Sequence, residues 1–279
     1  MYRTTDTNYE LVIEPSKGLF SLNLNEVWVY RELLFFLVWR DIKIKYKQSF
    51  LGIGWAIFQP IISMVVFTLI FGKIAKMPSG GVPYPVFTLC GVVIWNYFSS
   101  SITGGTSSLI NSRNLITKVY FPRLIIPLAA VGTGLLDCLI GFFILFFLIV
   151  YYGIVPSINI LFAPIFIILS FMAAGSISLW TSAISVKYRD IPKTIPFLVR
   201  MLFWVTPVAY GAEAIPEKFA FFYALNPMFS IIEGFRWCLL GTPFPSIYPM
   251  IISLIMVFIF FIGGIVYFKN MEREFADLI

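Results

Sequence analysis

Apolar runs of about 20 residues, separated by short basic loops, decide what this chain can fold into. As a helix, a run of that length crosses the ~30 Å hydrocarbon core of a bilayer. Composition agrees: aromatic residues make up 18%, charged residues only 12%, histidine is absent and the mean hydropathy is +0.89. A soluble domain of 279 residues would not need this much apolar surface, and lipid-facing helices account for the excess. The chain therefore reads as an all-α membrane protein.

The net charge of +6 does not point to nucleic acid, because the Lys and Arg side chains flank apolar runs rather than forming a basic domain. They are expected to set topology and to meet anionic lipid headgroups. Cys90, Cys138 and Cys238 stand apart in apolar surroundings and read as inert buried thiols without zinc spacing. The first residues carry Asp6, Glu10 and Glu14 and lack an apolar core, so a cleaved signal peptide is not expected.

Residues 1–24 read as a cytoplasmic tail without strong secondary structure. Asn25 is placed to cap a helix continuing through VWVYRELLFFLVWRDIKIKY, too charged for a clean span and suited to lying at the interface. Residues 25–50 are thus an amphipathic interfacial segment. Within it Ile42, Ile44 and Tyr46 alternate with Lys43, Lys45 and Lys47. That is strand periodicity, but a strand there has no partner, so a helix or turn with the lysines toward phosphate or water is preferred.

Six spans are expected between residues 51 and 268, at about 52–72, 85–109, 124–151, 160–186, 194–210 and 249–268. Pro60 is a candidate kink in the first. The second becomes SSSITGGTSS, small residues that belong against protein. Residues 211–248, with Pro216, Pro227, Pro243 and Pro245, are too apolar for an external loop and too broken for a span. Two short re-entrant helices meeting near Asn226 and Pro227 fit, with an amphipathic cap on the outer surface as the alternative. Residues 269–279 form a second cytoplasmic tail.

Six spans put both termini on one side. Fifteen of the 20 basic residues fall in the termini and in the loops at 111–123 and 187–193, while only Lys76, Lys218 and Arg236 lie clearly opposite. Lys73 and Arg200 are assigned to helix ends. The asymmetry puts both termini in the cytoplasm.

The chemistry missing from the sequence is as informative. There is no GxxxxGK[ST] loop, so the chain is not expected to hydrolyse ATP, and GxSxG and HExxH are absent too. The GIG at 52–54 and GTG at 132–134 read as close-packing sites. Asp137 is the one acid clearly inside a span, and an intramembrane ionisable group is a functional candidate by default. It either bonds to Ser, Thr or Arg on a neighbouring helix or faces a cavity. In the outer region, Glu213, Glu217, Glu233 and Arg236 are candidates for contact with an exiting substrate or a partner. Glu233 and Arg236, three apart, can also pair on one helix face. Trp39, Trp55, Tyr84, Trp95, Tyr151, Tyr152 and Tyr210 are expected at span ends as interface anchors, with a minority free to line a conduit.

Three stretches carry a family resemblance: KIKYKQSFLGIGWAIFQPI at 43–61, LITKVYFPRLIIPL at 115–128, and SVKYRDIPKTIPF at 185–197 followed by WVTPV at 204–208 and LNPM at 225–228. The chain, from about residue 25 onward, resembles the permease subunits of polysaccharide-exporting type 2 ABC transporters. It is most similar to those that export O-antigen, with capsule and teichoic acid exporters as near relatives. The resemblance implies a homodimer of six-span subunits paired with two copies of a separate ABC ATPase. That ATPase would bind ATP and Mg; no cofactor is expected in this chain. It implies a lipid-linked polysaccharide as substrate and a channel at the dimer interface in the inner (plasma) membrane. It also makes residues 111–121 a coupling segment, with Arg113, Asn114, Ile116, Lys118 and Tyr120 as candidates, and makes the amphipathic N-terminal helix a second contact with the ATPase or interface. A hydrated polymer needs polar and aromatic walls. Trp55, Phe58 and Gln59 early in span one, together with Asp137, are the candidate channel lining. Exporters of a smaller lipid or drug, and a non-transporting assembly protein, are the competing classes.

Overall fold

The computed structural model describes residues 24–47, 52–155, 157–272 and 275. The tail expected at 1–24 falls almost wholly outside the described residues, as does most of the stretch beyond Glu272. Eleven α-helices are present among the described residues. α1 is Leu24–Val29 and α2 Arg31–Lys47. α3, Gly54–Phe67, continues without a break into a π-helical stretch, Thr68–Ile74. α4 is Tyr84–Asn111, α5 Arg113–Ile116 and α6 Ile125–Tyr151. A 3₁₀ stretch, Ile158–Phe162, leads into α7, Ala163–Lys187. α8 is Ile191–Val205, α9 Ala220–Ala224, α10 Pro227–Leu240 and α11 Ile247–Glu272.

Five of these are long and apolar enough to cross a membrane: Gly54–Ile74, Tyr84–Asn111, Ile125–Tyr151, Ile158–Lys187 and Ile247–Glu272. The expected fifth span is different. Its helix has 15 residues and starts and ends before the expected 194–210. At 1.5 Å per residue it rises about 22 Å, short of the hydrocarbon core. Pro207 and the extended backbone at Thr206 stop it.

α4 is the hub, packing against α3, α6, α7, α8 and α10, and α7 in turn carries α11. Its small residues make the close contacts possible, as the SSSITGGTSS run implied. A Cβ on Gly105 would stand 2.4 Å from Ser178 Oγ, and one on Gly134 of α6 would stand 2.7 Å from Ser101 Oγ. Hydroxyls tie the same faces together. Thr106 and Thr181 are 2.7 Å apart, and Ser185 donates to the Thr106 carbonyl at 2.9 Å. Without a hydrophobic drive between helices in lipid, close packing and such bonds, each ~0.6 kcal/mol, hold a bundle together. α3 is the opposite case: only 6% of its apolar window is buried within the chain, against 78% for α4.

Several local readings need correction. Asn25 is not a cap, because the helix is already under way at Leu24 and Asn25 lies within α1. The GTG glycines do pack closely, Gly132 against Val38 and Gly134 against Ser101, but GIG does not. Gly52 instead takes a left-handed φ of +50° and Gly54 has open space around it. Trp95 is no span-end anchor: α4 begins at Tyr84, so Trp95 lies about three turns inside and is buried. Lys73 lies in the last turn of its stretch, as expected, but Arg200 lies well inside α8 rather than near its end. The alternating 42–47 stretch, by contrast, is helical to Lys47, as preferred over a strand.

Candidate functional site

Where α8 stops, the chain continues as non-helical backbone through residues 206–210, and its carbonyls need donors. Arg236 of α10 supplies them. Its Nη1 donates to the Pro207 carbonyl at 3.0 Å, the Tyr210 carbonyl at 3.2 Å and Glu233 Oε1 at 2.8 Å. Its Nη2 donates to the Val208 carbonyl at 2.6 Å. The guanidinium carbon lies 3.7 Å from the centre of the Phe87 ring, and the side chain is 0% exposed. Gly91 of α4 makes room, since a Cβ there would sit 2.5 Å from the Val208 carbonyl oxygen. Asn226 completes the junction by capping α10 through Met228 N at 3.1 Å and donating to Thr206 Oγ1 at 2.8 Å.

This settles the geometry of two outer candidates. Glu233 and Arg236 pair on one face of α10, and Arg236 is buried out of reach of any substrate. Glu213 is exposed within a 3₁₀ turn, Ala212–Ala214. Glu217 begins a second such turn, Glu217–Phe219, and its side chain is outside the described residues. α9 and α10 meet at Asn226, as the Pro and Asn spacing implied. α10 is no surface cap: most of it is buried against α4, α7 and α11.

A groove of about 330 Å³ lies between α3, α4 and α8. Ser63, Asn96, Ser99, Thr103 and Arg200 form its polar wall. Phe67, Val92, Trp95, Pro196 and Phe203 form the apolar part. Phe203 stacks on Phe67 at 5.4 Å and meets Trp95 edge-on at 5.5 Å, which fixes the angle between α8 and the other two helices. Arg200 has no hydrogen bond or ion pair with any described residue. Arg200 stands well inside an apolar helix of a membrane protein, where an ionisable side chain is a functional candidate by default. The sequence reading missed this residue because it placed Arg200 at a helix end.

Asp137, near the middle of α6, accepts from Lys45 Nζ and the Tyr46 hydroxyl at the end of α2. Its partners are therefore Lys and Tyr rather than Ser, Thr or Arg, and Lys45, though exposed as expected, also pairs with this carboxylate. α2 reaches it by running along α6, with Leu37 buried on Ala129 and Val38 against Gly132. Burial, and then the Asp137 carboxylate, push the Tyr46 phenol above its usual value, so it stays a donor. Of the other candidate lining residues, Trp55, Phe58 and Gln59 are all exposed on α3 and are not among the residues that line the Arg200 groove.

Residues 111–121 form a tight turn around the four-residue α5. Ile116 is buried with Leu109, Phe121, Leu124, Val186 and Phe268, so it seats the turn. Arg113, Asn114, Lys118 and Tyr120 stay exposed, Tyr120 by 70%. The turn is fastened to the end of α11, where Glu272 accepts from the Arg123 backbone N–H at 2.9 Å and its carbonyl accepts from Arg123 Nη1 at 2.7 Å. Among the described residues no group of three His, Cys, Asp or Glu is placed to hold a metal.

Comparison with known proteins fits this frame. The chain is 29% identical over 260 residues to the O-antigen export system permease protein RfbA of Myxococcus xanthus, spanning 92% of this chain and 98% of that protein. It is 29% identical over 249 residues to a protein of the same name from Klebsiella pneumoniae, spanning 89% and 95%. The polysialic acid transport protein KpsM of Escherichia coli is 23% identical over 202 residues, 70% of this chain and 76% of that one. The family profile described as ABC-2 type transporter matches residues 32–240. With its apolar spanning helices and no ATPase chemistry of its own, the chain belongs to the ABC-2 type transporter family as a multi-pass membrane permease.

Proposed function

We propose that the chain is the transmembrane permease of an ATP-driven exporter that moves lipid-linked polysaccharide, O-antigen in type, across the inner membrane. The observation that carries this reading is the match, over nearly the full length of both chains, to O-antigen export permeases. Two copies work with two copies of a separate ATPase. Six crossings are formed by α3, α4, α6, α7, α11 and α8 with its non-helical extension, leaving both termini in the cytoplasm. The near absence of own-chain burial on α3, which nonetheless exposes Gln59, supports a second copy and a hydrated path on that side. Trp55, Phe58 and Gln59 line that path. Asp137 holds α2 in place beside it. Arg113, Asn114, Lys118 and Tyr120 face the ATPase, with Ile116 as their anchor. α9 and α10 are the re-entrant pair near the exit, with Glu213 and Glu217 before them.

A capsule-type polymer as cargo is the second reading, favoured by the similarity to the polysialic acid transport protein. Deleting the gene while leaving the partner ATPase intact should strand the lipid-linked glycan on the cytoplasmic face. Normal delivery of the glycan to the outer face would end the exporter reading.

A further inference from the structure

We propose that the groove between α3, α4 and α8 is a binding site for the phosphoryl group of a lipid, with Arg200 as its anchor. The inference rests on the exporter reading and adds to it a residue and a chemical group. Arg200 stands inside an apolar helix, is exposed to the groove, and meets no anion among the described residues. No Asp or Glu lines the groove, so an incoming anion is not repelled. A guanidinium presents a planar fork of donors that matches phosphate oxygens in pairs. The Asn96 amide and the hydroxyls of Ser63 and Ser99 are further donors for the remaining oxygens. A volume of about 330 Å³ suits a headgroup and excludes a folded polymer. The lipid is indicated by what surrounds Arg200 on α8: Phe197, Leu198, Met201 and Trp204 are all exposed and offer an apolar chain a surface to lie on. A free phosphate would not use them.

The test is direct binding to the purified permease in phosphatidylcholine nanodiscs. The probe is farnesyl diphosphate, with inorganic pyrophosphate and farnesol as the two comparison ligands. Farnesyl diphosphate should bind more tightly than either. Arg200→Gln should weaken it at least about ten-fold, and Arg200→Lys by less. Unchanged thermal unfolding of Arg200→Gln ensures that the loss reads binding. Equal binding of farnesyl diphosphate to the wild type and Arg200→Gln would overturn the site. Equal binding of pyrophosphate would overturn the lipid assignment, and equal binding of farnesol the phosphoryl one. Dissociation of a dimer by Arg200→Gln would assign the residue to a subunit contact instead. None of these outcomes depends on cellular export, so failure of the site and failure of the exporter reading are told apart.

Discussion

A guanidinium with no exposed surface must find acceptors inside the protein, and at Arg236 three backbone carbonyls and one carboxylate take the donors of Nη1 and Nη2. Removing it would leave those carbonyls and Glu233 unpaired in a region walled from water. Arg236→Met, which keeps much of the volume, should therefore cost ~3–5 kcal/mol, the scale for breaking a buried charge pair. The fall in thermal unfolding midpoint in detergent measures it, and a midpoint within a degree of wild type would rule the clasp out. Gly91→Ala attacks the same joint from α4. The added methyl meets the Val208 carbonyl, which is backbone and cannot swing away, and a loss of ~1–3 kcal/mol is expected. The pairing of Glu233 with Arg236 could be read from their spacing of three. The carbonyl clasp could not, because its acceptors lie 26 to 29 residues upstream in a segment that hydropathy assigns to a helix.

The two elements whose anchoring was not legible in the sequence are α2 and α8. α2 was expected at the interface with its lysines toward phosphate or water; its lysines are exposed, and its end is in addition fastened to the middle of α6 through Lys45, Tyr46 and Asp137. The ion pair is part-exposed, with side-chain exposure of 44% for Lys45 and 21% for Asp137, so it is weaker than a buried pair. A double-mutant cycle with Lys45→Met and Asp137→Asn should return a coupling of ~0.5–2 kcal/mol in detergent unfolding. Additive effects would mean that the two groups do not hold α2. α8 ends early because residues 206–210 are apolar enough to read as helix while Pro207 and the backbone at Thr206 forbid it. Hydropathy reports that a segment belongs in an apolar place, and says nothing of whether its carbonyls are bonded within a helix or to a distant arginine.

At the scale of the whole molecule, the antiparallel trace separates two ends. Ser112 lies at one, just after α4, and Lys218 at the other, between α8 and α10. The native cysteines are all buried, so an introduced thiol will report without background. An impermeant thiol reagent on intact cells should label Cys at position 218 and spare Cys at position 112; the reverse pattern would invert the orientation. Arg113 and Lys118 are exposed on the turn at the Ser112 end, where contact with the ATPase is proposed. Replacing both with Glu should impair assembly with the ATPase or its turnover, while leaving insertion and thermal unfolding intact. Unchanged assembly and unchanged export would remove them from that role.

What the sequence determined by itself was the class of environment and the order of the crossings. Runs of about 20 apolar residues leave a helix in lipid as the economical choice, and charges placed between them mark the loops. The small residues of α4 also announced a close-packed interior helix, because only glycine and serine let backbones approach that closely. Tertiary structure decided how the rare polar groups inside the apolar region are used. Asp137, Arg200 and Arg236 look alike as isolated charges in apolar sequence. One is paired to α2, one is buried on backbone carbonyls, and one is left open to a groove. The difference lies in which partners, 26 to 92 residues away, the fold brings within hydrogen-bond reach.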